Sequence, residues 1–132
     1  MKYLVDTNIL IYLMNSKSSE LQNKFISHPT QEFFVSTITV AELIYGAKKS
    51  SRVEQNLNAA IKILSPFSII DFTSMDAFEY GDIRCDLERK GQIIGANDLL
   101  IAAQARRLNL TVITANLKEY ERVKGLNVEN WA

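Results

Sequence analysis

Short runs of strand-forming residues, apolar almost throughout, alternate with longer stretches that carry helical patterning. Tyr3-Leu4-Val5-Asp6, Phe33-Phe34-Val35-Ser36, Ser68-Ile69-Ile70-Asp71 and Thr111-Val112-Ile113-Thr114 show no alternation of apolar and polar residues. A strand that is apolar on both faces must be covered on both faces, which is the property of a parallel sheet. The intervening segments read as helices over Asn8–Asn15, Ser18–Ser27, Thr39–Lys49, Ser51–Leu64, Thr73–Lys90, Asn97–Leu108 and Asn116–Arg122, with a tail ending at Trp131. Such βα units wind with right-handed crossovers, so the expected class is α/β, a three-layer α/β/α sandwich with a short central parallel sheet. Tyr3–Asp6 is expected at its centre, between Phe33–Ser36 and Thr111–Thr114. Met75, Phe78 and Cys85 are spaced to form one apolar face of their helix.

At 132 residues and 47% hydrophobic, the chain suits a single domain that buries roughly two-thirds of its unfolded surface. We read residues 1–132 as that one domain, without repeats or linkers. The longest uninterrupted apolar run, Ile9–Met14, is far too short for a membrane span, and the strand-like start Met1-Lys2-Tyr3 does not look like a signal peptide. A lone cysteine, Cys85, fits a reducing cytoplasm. Fifteen acidic residues balance fifteen basic ones, which excludes a protein coated with positive charge for sequence-blind nucleic-acid binding but leaves room for local basic patches.

Functional residues in such a sheet gather at the carboxyl ends of the strands, where Asp6, Ser36, Asp71 and Thr114 fall. Asp6, Glu42 and Asp98 stand among apolar neighbours rather than on a polar face, and an unpaired buried carboxylate is costly. Each has a plain structural explanation. Asp6 suits an Asx-turn, Glu42 stands at capping-box spacing from Thr39, and Asp98 complements a helix dipole behind Asn97 as N-cap; Asn116 and Glu119 have the same cap-like spacing. The conjunction points further. Acids converging on one edge repel and must either take up protons or hold a cation, and oxygen ligands without a Cys/His set suit Mg²⁺ or Mn²⁺. The chemistry reached this way is metal-dependent phosphodiester hydrolysis.

Four stretches in order, Val5-Asp6-Thr7-Asn8, Ala41-Glu42-Leu43, Asn97-Asp98-Leu99-Leu100-Ile101-Ala102-Ala103 and Val112-Ile113-Thr114-Ala115-Asn116-Leu117-Lys118-Glu119-Tyr120, resemble the PIN-domain pattern. Within PIN domains the chain is most similar to VapC-type ribonuclease toxins of bacterial type II toxin–antitoxin operons, over essentially its whole length. The resemblance implies Asp6 and Asp98 as metal ligands, Glu42 completing the acidic cluster, and Thr7 and Asn8 as polar supports of Asp6. Many PIN domains carry a further aspartate where this chain has Asn116; Glu119, one turn on, takes over part of that role. The resemblance also implies a structured RNA substrate, with the anticodon loop of initiator tRNA as the leading choice. It further implies products with a 5′-phosphate and a 3′-hydroxyl, a VapB-type antitoxin whose C-terminal segment blocks the acidic site, and a homodimer.

Lys48, Lys49 and Arg52 follow soon after Glu42 and read as RNA phosphate contacts, whereas Arg106 and Arg107 read as cations complementing a helix C-terminus. The first helix is apolar almost all round, more than a core face needs, and suggests a partner groove or dimer surface. His28 reads as a surface residue, and Cys85 as core rather than nucleophile. Two other activities share some of these features. A receiver-like phosphoacceptor domain needs a further early acidic pair, and a HAD-type phosphatase needs an aspartate where Asn8 stands. A non-catalytic PIN-fold RNA-binding module is at odds with the intact Asp6, Glu42 and Asp98.

Overall fold

The computed structural model describes residues 1–15 and 19–132. Five strands, β1 (Tyr3–Val5), β2 (Phe33–Ser36), β3 (Ser68–Ile70), β4 (Thr111–Thr114) and β5 (Val128–Asn130), form one parallel sheet in the order β3-β2-β1-β4-β5. Strand β1 is therefore central, flanked by β2 and β4 as expected. Helices α1 (Thr7–Asn15), α2 (Ser19–Ile26), α3 (Thr37–Lys48), α4 (Val53–Leu64), α5 (Ser74–Arg89), α6 (Ala96–Leu108) and α7 (Leu117–Tyr120) complete the fold. Ser18, expected to open the second helix, lies outside the described residues.

The period-2 geometry of β1 and β4 divides the core. Leu4 and its ladder partner Val112 pack with Ile83, Leu87, Leu99 and Ile101 from α5 and α6. Tyr3, Val5 and Ile113 point to the opposite face and pack with Ile9, Leu10, Leu21 and Leu43 from α1, α2 and α3. Two apolar clusters on the two faces of one sheet make the three layers.

Several boundaries differ from those the sequence suggests. Helix α3 starts at Thr37 because the Ser36 hydroxyl caps it, accepting from the Ile38 N–H at 3.0 Å. Thr39 is thus inside the helix and does not cap it. Helix α6 is capped by Gly95 rather than Asn97, and ends where Asn109 takes a left-handed conformation (φ 55°). The tail contains β5, a short strand with a glutamate and an asparagine among its three residues; edge pairing to β4 forms it, with no apolar run to announce it.

Helix α5 turns the other way from the expectation. Met75 and Phe78 are 60% and 77% exposed and Cys85 also faces solvent, while Asp76, Ile83 and Leu87 are buried. The reason is electrostatic as well as apolar. Asp76 closes a capping box with Thr73 and receives the Arg107 guanidinium from α6, so the face that carries it must turn inward. Arg106 likewise pairs with Glu79 and donates to the Lys124 carbonyl at 2.9 Å. Both arginines clamp α6 to its surroundings instead of only complementing a dipole. His28 is not a simple surface residue either. Half-buried, it stacks on Trp131 with ring centroids 5.4 Å apart and lies edge-on to Tyr3.

Candidate active site

Asp6 follows β1 directly, at the carboxyl edge of the sheet, and is 3% exposed. Its carboxylate accepts the Thr7 N–H on Oδ1 at 2.9 Å and the Thr114 hydroxyl on Oδ2 at 2.8 Å. The local N–H bond is what an Asx-type reading anticipates. The Thr114 bond comes from the parallel register, since Val5 faces Ile113 and the next residues on each strand fall side by side. A third donor is Tyr120, whose buried hydroxyl lies 3.2 Å from Asp6 Oδ1 and 3.1 Å from Asp98 Oδ1. Asp98 sits in the first turn of α6, half-buried, so one phenol joins carboxylates carried by two different elements.

Glu42 is held from α1. The Thr7 hydroxyl donates to Glu42 Oε1 at 2.6 Å and lies 3.1 Å from the buried Thr39 hydroxyl. Thr7 thus orients Asp6 through its backbone and Glu42 through its side chain, and Glu42 does no capping work. Asn116 donates to Glu119 Oε2 at 2.8 Å, and the Asn116 N–H donates to the Thr114 hydroxyl at the same distance. This chain of hydrogen bonds ties Asn116 and Glu119 back to Asp6. Asn8 is exposed beside the site residues Asp6 and Thr7. Asp71 is exposed beyond β3, at the outer edge of the sheet, away from the strands that carry the site.

Burial raises the pKa of Asp6, against the lowering effect of Thr114, Thr7 and Tyr120, and the charge of Glu42 raises it further. Asp98 is pushed up to about 7, first by burial, then by the charge of Asp6 and by Glu119. Burial and the same two aspartates hold the Tyr120 phenol well above its ordinary value, so it remains a proton donor. A site that disfavours the charge of its carboxylates is one that a cation relieves. Among the described residues no three His, Cys, Asp or Glu side chains close on one point. Two carboxylates with flanking hydroxyls and amides are nonetheless an all-oxygen set of the kind that holds a hydrated Mg²⁺ or Mn²⁺, which keeps several of its waters.

A family model described as PIN domain matches residues 3–126. The chain belongs to the PIN-domain family. This PIN domain is 42% identical to Ribonuclease VapC2 of Rickettsia felis over 99% of its own length and 98% of that protein's. It is 37% identical to the tRNA(fMet)-specific endonuclease VapC of Salmonella typhimurium, again over 99% and 98%. The crystal structure of VapBC2 from Rickettsia felis bound to a promoter DNA fragment superposes with a TM-score of 0.95, 41% identity and full coverage of both chains.

Three participants are not evident from the sequence: Tyr120, Thr39 and the part of Thr114 as a donor. Thr114 is legible there only as a residue at a strand's carboxyl end. Nothing local distinguishes Tyr120 from a core aromatic. The basic residues are placed differently from the acids. Lys48 and Lys49 end α3, roughly 9–10 Å along the helix axis from Glu42 at about 1.5 Å per residue, and Arg52 precedes α4; all three are exposed. Tyr45, between them and Glu42, is 66% exposed, with Lys49 Nζ 5.0 Å from its ring centre. On another side, α1, α2 and α4 frame an apolar groove of about 630 Å³ with Leu13, Met14, Phe25 and Ile63 as walls and Phe33 and Phe67 among its lining. No described helix is long and apolar enough to cross a membrane.

Proposed function

We propose that this protein is a VapC-type toxin: a Mg²⁺-dependent endoribonuclease that hydrolyses phosphodiester bonds in structured RNA and is silenced by a VapB-type antitoxin. The observation that carries the proposal is the pairing of Asp6 and Asp98 through Tyr120, at a site where Asp98 is driven to a pKa of about 7. In this reading the substrate is the anticodon loop of initiator tRNA in the cytoplasm, a choice supported by two relatives named tRNA(fMet)-specific endonuclease.

When bound, a divalent cation (Mg²⁺, or Mn²⁺ in its place) supplies positive charge for the phosphoryl oxygens and makes a water more acidic. The residues present do the rest. Asp6 and Asp98 hold fixed oxygens on one side of the scissile phosphate. Thr7 occupies Glu42 Oε1, leaving Oε2 to orient the attacking water, while Glu119, held by Asn116, lies against Asp98 and completes the acidic cluster. Water attacks phosphorus, the bond from phosphorus to the 3′ oxygen breaks, and a carboxyl group passes the water's proton to that oxygen. The products are a 5′-phosphate and a 3′-hydroxyl.

RNA is held by Lys48, Lys49 and Arg52 through phosphates, with Tyr45 offering a face on which an unpaired base can stack. Lys48→Ala with Lys49→Ala will weaken RNA binding and flatten the plot of log affinity against log salt by roughly 0.7–0.9 for each phosphate no longer neutralised. An unchanged slope, measured by fluorescence anisotropy, removes these lysines from the RNA path. The antitoxin segment inserts apolar side chains into the groove between α1, α2 and α4 and carries a basic group to the acidic site. The free toxin is a homodimer.

Sequencing of RNA 5′ ends after brief expression in a bacterial cell tests the whole reading. New 5′-phosphate ends concentrated in the initiator tRNA anticodon loop are expected, and addition of EDTA to the purified protein will stop cleavage. Ends concentrated in another RNA overturn the substrate; no new ends, with growth unaffected, overturn the nuclease.

A further inference from the structure

The geometry points to Tyr120 as a positioning residue that fixes Asp6 and Asp98 relative to one another before a divalent cation arrives. The inference rests on the reading of these aspartates as cation ligands and goes beyond it to what sets their spacing. Tyr120 is fully buried, its ring packed in the cluster that contains Leu4, Leu99 and Val112. A ring so enclosed gives its hydroxyl oxygen one location. That oxygen stands 3.2 Å from Asp6 Oδ1 and 3.1 Å from Asp98 Oδ1, and its single proton is shared between them.

The two carboxylates depend on it differently. An ionised carboxylate offers about four acceptor positions. Asp6 has three taken, by Thr7 and Tyr120 on Oδ1 and by Thr114 on Oδ2, which locks its plane and leaves one open position on Oδ2. Asp98 is half-exposed, and Tyr120 is the hydroxyl that reaches it. Without the phenol oxygen Asp6 keeps two donors, whereas Asp98 is left with its contact to Glu119, a second carboxyl, and can turn away from the charge of Asp6. The shared proton therefore opposes the repulsion that would splay the pair, and the ordering of both ligands is completed during folding rather than on cation binding.

Tyr120→Phe removes one oxygen atom and keeps the ring that packs the core, and near-ultraviolet circular dichroism will check that the packing is retained. Mn²⁺ is titrated into the full-length wild type, Tyr120→Phe and Asp98→Asn, followed by calorimetry and by the electron paramagnetic resonance signal of free Mn²⁺. Tyr120→Phe is expected to raise the Mn²⁺ dissociation constant about tenfold, the scale on which groups that orient metal ligands act. In cleavage assays its Mn²⁺ requirement will rise while kcat at saturating Mn²⁺ returns toward wild type, a split that simple loosening of the fold does not produce. A dissociation constant in Tyr120→Phe equal to that of wild type overturns the positioning role alone. Wild type and Asp98→Asn that bind Mn²⁺ equally, or not at all, overturn the cation-ligand reading and the positioning role with it.

Discussion

Asp98→Asn will lower RNA cleavage by at least about a hundredfold, the upper end of what even an indirect partner of a metal ligand costs, while making the metal-free protein more heat-stable. The two effects have one origin. Asp98 is raised from an ordinary value near 3.8 to about 7 by burial, Asp6 and Glu119, so its ionised form is unfavourable in the fold. A carboxyl whose pKa is higher folded than unfolded stabilises the fold fully below the unfolded value and loses that contribution as pH rises through the folded one. In EDTA, wild-type stability will therefore fall from about pH 4 to about pH 7 and then level, by the contribution of this group. Asparagine removes that slope. Because Asp98 is half-exposed, the gain at pH 8 is modest, about 1 kcal/mol or roughly 3–5 °C for a domain of this size. Thermal melts in EDTA between pH 4 and pH 8, beside a cleavage assay in Mg²⁺, measure both. Full activity in the variant removes Asp98 from the chemistry; a pH slope identical to that of wild type removes the repulsion.

Arg107→Ala will lower stability substantially from a position away from the site. Asp76 is completely buried and Arg107 is its cationic partner from α6, while α5 and α6 pack closely along their lengths. Removing one member of a buried pair costs about 3–5 kcal/mol because the other charge is left without compensation. Here the loss is smaller, about 2–3 kcal/mol or roughly 10 °C, for two reasons. Arg107 keeps 29% of its side chain exposed, and Asp76 retains the Thr73 N–H at 2.8 Å and the Thr73 hydroxyl at 3.2 Å. Urea unfolding with an unchanged m-value will show it, and adding Asp76→Asn will recover part of the loss. Cleavage at low temperature will be retained, since Arg107 stands roughly 13 Å along α6 from Asp98. A midpoint within experimental scatter of wild type would show the clamp to be without energetic weight.

Local physics makes much of this protein legible. Strands without alternation suit a sheet covered on both faces, as Leu4 and Val5 are in β1, but the same pattern in β3 ends at the sheet edge with Ile69 43% exposed, because strand order is not written in one strand. Asp6, Glu42 and Asp98 stand out because each interrupts an apolar stretch, a cost that local sequence exposes directly. Helix starts are less legible. Thr39 with Glu42 has ideal capping spacing, yet Ser36 at the end of β2 offers its hydroxyl first, and the helix begins there. Spacing alone does not rank two competing caps.

The sequence by itself determined which residues are apolar, with what period, and which acids stand in surroundings that do not solvate them; these properties act between near neighbours along the chain. Only the tertiary structure decided what those acids touch. The Thr7–Glu42 bond spans 35 residues, Asp6–Thr114 spans 108 and Asp6–Tyr120 spans 114. It also turned Met75, Phe78 and Cys85 outward, because burying Asp76 against Arg107 outweighed an apolar face with no sheet beneath it. Strand β5 exists because the edge of β4 has backbone groups to pair, a requirement set by a neighbouring strand and invisible in Val128-Glu129-Asn130 itself.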